Sequence, residues 1–145
     1  MRFMVILRGN EEIEGGALPT EQMFTDMVKF NEQLVDAGVM IGGEGLHPAK
    51  EGTTITFKDG KVTTSKGATP NLIVGYWIWN VKSVDEAIEW VKRIPNAKDE
   101  HGSIELRQIA ETDEFKGIMS AETMAKEKQL YQRIADQNAK AASGR

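Results

Sequence analysis

Residues 72–81 read Leu-Ile-Val-Gly-Tyr-Trp-Ile-Trp-Asn-Val, and this run constrains the fold more than any other segment. A strand sends alternate side chains to opposite faces. Tyr76 and Ile78 therefore share one face, and Trp77 and Trp79 share the other. Both faces are apolar, so a central strand of this kind has to be covered on both sides. Helices can supply one cover. A second copy of the chain is the economical source of the other.

The flanking segments supply the remaining elements. Residues 2–8 form a short apolar run bounded by Gly9 and Asn10, which reads as a buried strand. A signal peptide is a poorer reading, because the apolar stretch over 3–7 is too short and Glu11 and Glu12 follow it. Residues 11–18 are acidic and glycine-containing, as in a loop. Pro19 and Thr20 then open a helix in which Met23, Met27, Phe30 and Leu34 recur at helical spacing, with Gly38 as its stop. A second strand over 39–41 runs into Gly42-Gly43-Glu44-Gly45-Leu46-His47-Pro48, where clustered glycines predict unusual backbone angles or close approach. Segments 53–58 and 61–64 flank Asp59-Gly60, a strong hairpin signal, and a turn-rich loop follows over 65–71. Ser83-Val84-Asp85-Glu86 forms a capping box for a helix that Pro95 ends, with Val84, Ala87, Ile88 and Val91 on one face. Residues 103–110 alternate, with Ile104 and Leu106 opposite Glu105 and Arg107. Ser120 caps a last helix reaching about residue 142, whose apolar residues Met124, Leu130, Tyr131 and Ile134 are sparse.

The order is β-α-β, a hairpin, β-α-β and a helical tail. It predicts an α+β fold of the ferredoxin-like βαββαβ kind with an inserted β-hairpin. The sheet is expected to be antiparallel and four-stranded, with two helices on one face. Residues 1–112 would form this domain and 113–145 a helical extension packed on the domain or on a partner. Burial of the second sheet face predicts a homodimer, and Met124, Tyr131 and Ile134 of the thin-striped tail would clasp the partner or the sheet edge.

A chain of 145 residues fits one ordinary domain. It contains no cysteine, which excludes disulfides, cysteine-based zinc sites and thiol catalysis. The net charge of −4, from 18 basic and 22 acidic residues, argues against nucleic acid as a direct partner and gives no polybasic membrane signature. No apolar stretch approaches the length of a membrane span. The cytoplasm is the expected compartment.

These segments match a known family in order. Arg2-Phe3-Met4-Val5 is followed by Phe30-Asn31-Glu32-Gln33-Leu34-Val35-Asp36-Ala37-Gly38-Val39. Gly43-Glu44-Gly45-Leu46-His47-Pro48, Gly75-Tyr76-Trp77, the stretch from Val81 to Trp90 and Ile104-Glu105-Leu106-Arg107-Gln108 complete the series. Over nearly its whole length the chain resembles the YCII-related proteins, in the branch named for an Asp-Gly-Pro-Phe motif. The resemblance implies a dimeric α/β-barrel built on a ferredoxin-like fold. It also implies one of two roles. One is a small-molecule lyase, isomerase or hydrolase. The other is a non-catalytic ligand-binding or regulatory module, linked in some members to transcription factors of the sigma class. The motif itself is not retained. Where the family has it, this chain has Thr64-Ser65-Lys66-Gly67-Ala68-Thr69-Pro70, in which only the glycine aligns and the motif's aspartate has no counterpart.

His47 is the main candidate for chemistry. It is held between a glycine-rich strand end and Pro48, and histidine is the residue type most often used as a general acid/base. The alternative is a structural histidine bonded to loop backbone. Glu44, three residues earlier, could orient the imidazole, or could be an ordinary surface carboxylate. Arg8, Tyr76 and Arg107 are candidates for binding a substrate, Arg107 an anionic one. The competing reading for Arg8, Glu105 and Arg107 is a solvated cross-strand cluster. Tyr76, Trp77 and Trp79 could line an aromatic or lipid-like pocket, although core and dimer packing accounts for them better. His101 precedes Gly102 in a polar loop. Two histidines with no companion cluster give only a weak metal signal, a divalent site at His47 and Glu44 would lack ligands from one chain alone, and no cofactor is indicated. Residues 42–45 lack the Lys-Ser/Thr ending of a phosphate loop. A catalytic His47 should lie in a cavity with Glu44, Tyr76 or Arg107 within hydrogen-bond reach.

Overall fold

The computed structural model describes residues 1–11, 15–67, 72–95 and 102–144. The chain runs through β1 (Arg2–Arg8), α1 (Glu21–Asp36), β2 (Met40–Gly45), β3 (Thr53–Lys58), β4 (Lys61–Lys66), β5 (Ile73–Asn80), α2 (Val84–Val91), β6 (Ser103–Gln108) and α3 (Ala121–Ser143). Strands β2, β5, β1 and β6 form one sheet in that order, with every neighbouring pair antiparallel. Strand β5 therefore lies between β1 and β2, and β1 lies between β5 and β6. This interleaving of two β-α-β units is the split arrangement expected from the sequence. Among the described residues, strands β3 and β4 pair only with each other, as an inserted hairpin.

The alternation along β5 decides which side carries the core. Trp77 and Trp79 are buried and join Phe3 and Val5 of β1. Phe30 and Leu34 of α1 and Ala87 of α2 complete the same cluster, so both helices serve one sheet face. Phe30 meets Trp77 and Trp79 edge-on, with ring centroids 5.9 and 6.5 Å away. The indole N–H of Trp77 donates to Asn31 Oδ1 at 3.0 Å, which ties α1 to β5. The opposite sheet face carries Met4, Ile6, Tyr76 and Ile78. Ile6 is buried yet stands apart from the core cluster.

Several local details differ from expectation. Residues 42–45 continue β2 rather than turning, and none of these glycines has a positive φ. Close approach explains Gly43 instead. A β-carbon on Gly43 would lie 2.6 Å from Trp77 Cδ1 and 2.9 Å from the Tyr76 carbonyl oxygen. Ser83 caps its helix as expected, but the return bond of the capping box is shifted by one residue. Ser83 Oγ accepts from the Glu86 N–H at 3.1 Å, but the Glu86 carboxylate accepts from the N–H of Lys82, not of Ser83. Helix α2 stops at Val91, before Pro95. Strand β4 runs on to Lys66. Asp59 and Gly60 have φ of 52° and 72°, the pair of positive values that a two-residue type I′ hairpin turn requires. His101 and parts of the loops expected over 11–18 and 65–71 lie outside the described residues.

The chain divides into two units, Met1–Ile109 and Ala110–Arg145. The second holds a 3-10 turn over Thr112–Phe115 followed by α3, with Ser120 Oγ accepting from the Thr123 N–H at 3.1 Å as its cap. Lys128 Nζ donates to Asp113 at 2.9 Å, fastening the turn to the helix. Leu130, Tyr131 and Ile134 are about half exposed.

Candidate functional site

Strand β2 ends at Gly45, and the Leu46 N–H still donates to the Val74 carbonyl at 2.9 Å. His47 is then held extended by the following proline. Pro48 leads into a single 3-10 turn, Ala49–Glu51, and this turn brings Glu51 back to His47. His47 Nδ1 lies 3.0 Å from Glu51 Oε2. A carboxylate can only accept, so the proton of a neutral imidazole sits on Nδ1 and the Nε2 lone pair is left free.

A cleft of about 600 Å³ opens beside this pair. Leu46, Pro48, Ala49 and Ile73 give it apolar walls, and Thr53 and Thr54 at the base of the β3–β4 hairpin add hydroxyl groups. The His47 side chain is 91% exposed, so the imidazole stands at the rim rather than in a closed chamber.

Four of the other sequence candidates lie on the sheet. Glu44 is in register with Tyr76, Tyr76 with Ile6, and Ile6 with Glu105, so one row crosses all four strands on the face opposite the helices. Arg8 Nη2 donates to Glu105 Oε2 at 2.5 Å, and Arg107 donates to the other oxygen of the same carboxylate. The hydrogen bond from Arg8, then that from Arg107, holds the Glu105 carboxyl below its ordinary value of 4.5. Two guanidinium groups on one carboxylate leave an excess positive charge within this cluster. Arg8 is also in register with Ile73, a wall of the His47 cleft.

The predicted residues are thus gathered in two groups. Arg8, Arg107 and Glu105 meet one another, and Glu44 faces Tyr76 across the β2–β5 ladder. His47 is partnered by Glu51, where the sequence pointed to Glu44. Glu44 belongs to the ladder, whereas the 3-10 turn folds residue 51 onto residue 47. The signal for Glu51 was present in the sequence as His-Pro-x-x-Glu. A proline opens a helical turn readily, and residues four apart then become neighbours. Trp77 and Trp79 belong to the buried core cluster. Among the described residues, no three histidine or carboxylate side chains gather as a metal-ligand set. Nor is any described helix long and apolar enough to cross a membrane.

The sequence profile of the YCII-related domain matches residues 1–113. The chain belongs to the YCII-related family. Among solved structures, it is similar to the 5-chloro-2-hydroxyhydroquinone dehydrochlorinase TftG of Burkholderia phenoliruptrix, determined in complex with 2,5-dihydroxybenzoquinone. Identity is 14% and the TM-score 0.49, over 76% of this chain and 94% of that one. Comparison with curated protein sequences finds no match.

Proposed function

We propose that this member of the YCII-related family moves a proton on a small organic molecule held in the cleft beside β2, with His47 as the acid/base and Glu51 as its orienting partner. The observation that carries this reading is the 3.0 Å approach of Glu51 to Nδ1 of a histidine at the mouth of a mostly apolar cleft. A carboxylate on one ring nitrogen fixes the tautomer and makes the other nitrogen a better base. Lyase, isomerase and hydrolase steps all need such a group. Arg8, behind the Ile73 wall, Arg107 and Tyr76 would bind the polar end of a ligand on the adjoining sheet face, and Glu44 borders Tyr76 there.

In the same reading two copies pack through the face bearing Met4, Ile6, Tyr76 and Ile78, closing a barrel over the second side of β5. The reason is the apolar character of that strand on both sides. Residues 113–145 form an extension to this domain, and the cytoplasm is the compartment.

The test begins with a nuclear magnetic resonance screen of small carbonyl compounds, followed on Leu46, His47 and Ile73. Compounds that shift these resonances are then assayed for turnover. His47→Ala should keep binding and lose turnover, and Glu51→Gln should lose part of it. Compounds that shift other regions only, or turnover undiminished in His47→Ala, would refute the catalytic reading. The 91% exposure of His47 favours a second reading, a ligand-binding regulatory module. Tight binding at the cleft with no turnover of any bound compound would select it.

A further inference from the structure

We infer that the β3–β4 hairpin is an arm that docks on helix α1 of a second copy of this chain. Among the described residues, the hairpin has no partner strand beyond itself. Phe57 faces Val62 across the ladder and Ile55 lies two residues from Phe57, so the three share one face. They are 77%, 62% and 55% exposed. An isolated two-stranded hairpin is marginal in water, and one that shows its apolar face to solvent is more so.

Helix α1 offers a surface of matching kind. Phe30 and Leu34 face the core, but Phe24, Val28 and Val35 are each more than half exposed. By the 3.6-residue period these three fall on one stripe, and Glu21, Glu32 and Asp36 fall along its side away from the core. The charges are complementary. The hairpin carries Lys58, Lys61 and Lys66 against the single Asp59, while α1 carries Glu21, Asp26, Glu32 and Asp36 against the single Lys29. A basic apolar arm thus faces an acidic apolar helix. Two-fold symmetry would make the contact twice, the arm of each copy on the helix of the other.

The contact would bear on the cleft as well. Gly52, Thr53 and Thr54 at the root of the arm line it, and the Gly67 N–H donates to the Gly52 carbonyl at 3.2 Å, closing the arm's base. Holding the arm in place would therefore hold one wall of the cleft beside His47. This inference is independent of the pairing proposed for the sheet face and of any activity of His47.

The experiment uses the full chain with benzoylphenylalanine replacing Phe57. Light and isotope-heavy copies are mixed, equilibrated and irradiated, and cross-linked peptides are sequenced by mass spectrometry. Mixed-isotope links from position 57 to residues 21–36 are expected. Their yield should fall at least tenfold in Lys61→Glu/Lys66→Glu. It should recover when the other copy carries Glu21→Lys/Glu32→Lys. Circular dichroism of each variant confirms that the charge changes leave the fold intact. Links within one isotope only, links to α3 or to the Met4–Ile78 face, or no links at all would overturn the proposal.

Discussion

Gly43 lies so close under Trp77 that a β-carbon at this position would stand 2.6 Å from the indole Cδ1. The neighbouring backbone closes the other side, because the Tyr76 carbonyl oxygen would be only 2.9 Å away. Gly43→Ala should therefore push β2 off β5 and destabilise the protein by about 1–3 kcal/mol, as overpacking of a close-packed interior does. Gly42 and Gly45 have nothing within 4 Å of the same construction, so alanine there should stay within about 0.5 kcal/mol of the parent. Urea midpoints of the three variants check the contrast. Equal effects at all three positions would contradict this account of the glycine run.

The bond from the Trp77 indole to Asn31 joins elements 46 residues apart. Asn31→Ala leaves that half-buried donor without its partner and should cost about 1–3 kcal/mol. In a Trp77→Phe background the same change should cost much less, since the donor is already gone. A double-mutant cycle measures the difference.

Acid should loosen the cluster on the sheet face. Glu105 is held below its ordinary value of 4.5 by Arg8 first and Arg107 second. A carboxyl lowered in the folded state contributes stability at pH above its unfolded value. That contribution fades as pH falls through the lower, folded value. Glu105→Gln should thus be the less stable protein at pH 7, with the gap to the parent narrowing on titration below pH 4.5. Thermal melts across that range test the sign, and a gap that widens in acid would refute it.

The His47–Glu51 pair should be dispensable for folding. Both side chains are more than half exposed. His47→Ala and Glu51→Gln should each move the melting temperature by less than about 3 °C. Larger losses would mark the pair as structural rather than functional.

The fold was legible where periodicity was strong. The alternation of Tyr76, Trp77, Ile78 and Trp79 separated the two sheet faces, and the spacing of Phe30 and Leu34 marked the buried stripe of α1. Asp59-Gly60 announced its turn because few pairs of residues tolerate two successive positive φ angles. The glycines around Gly43 were ambiguous. Close packing and left-handed turns both call for glycine, and only the Trp77 ring opposite distinguishes them. Ser83 was read correctly as the cap, but the return bond of its box goes to the Lys82 amide, because a glutamate side chain reaches the amide before the cap residue as readily as the cap's own. The partner of His47 was missed for a related reason. Nearness in sequence made Glu44, three residues before His47, the natural partner. A single 3-10 turn after Pro48 brings Glu51 there instead, and one turn is too short to leave a periodic trace. Sheet register was illegible, so the sequence could offer Arg8, Glu105 and Arg107 as a cross-strand cluster without showing that both guanidinium groups share the one carboxylate.

Strand β1 lies between β5 and β6, and this has a consequence for how the protein is made. Arg8 and Glu105, which meet across β1 and β6, are 97 residues apart. A ribosome adding about 5–20 residues per second takes roughly 5–20 s to cover that distance. Strand β5, which flanks β1 on one side, is complete only at Asn80, and β6, which flanks it on the other, only at Gln108, so Phe3, Val5, Ile6 and Leu7 spend most of that time without either neighbour. Pairing over such separations is slow, and unpaired apolar strands aggregate. Expression yield should therefore depend on temperature and chaperone supply during synthesis far more than the stability of the finished sheet would suggest.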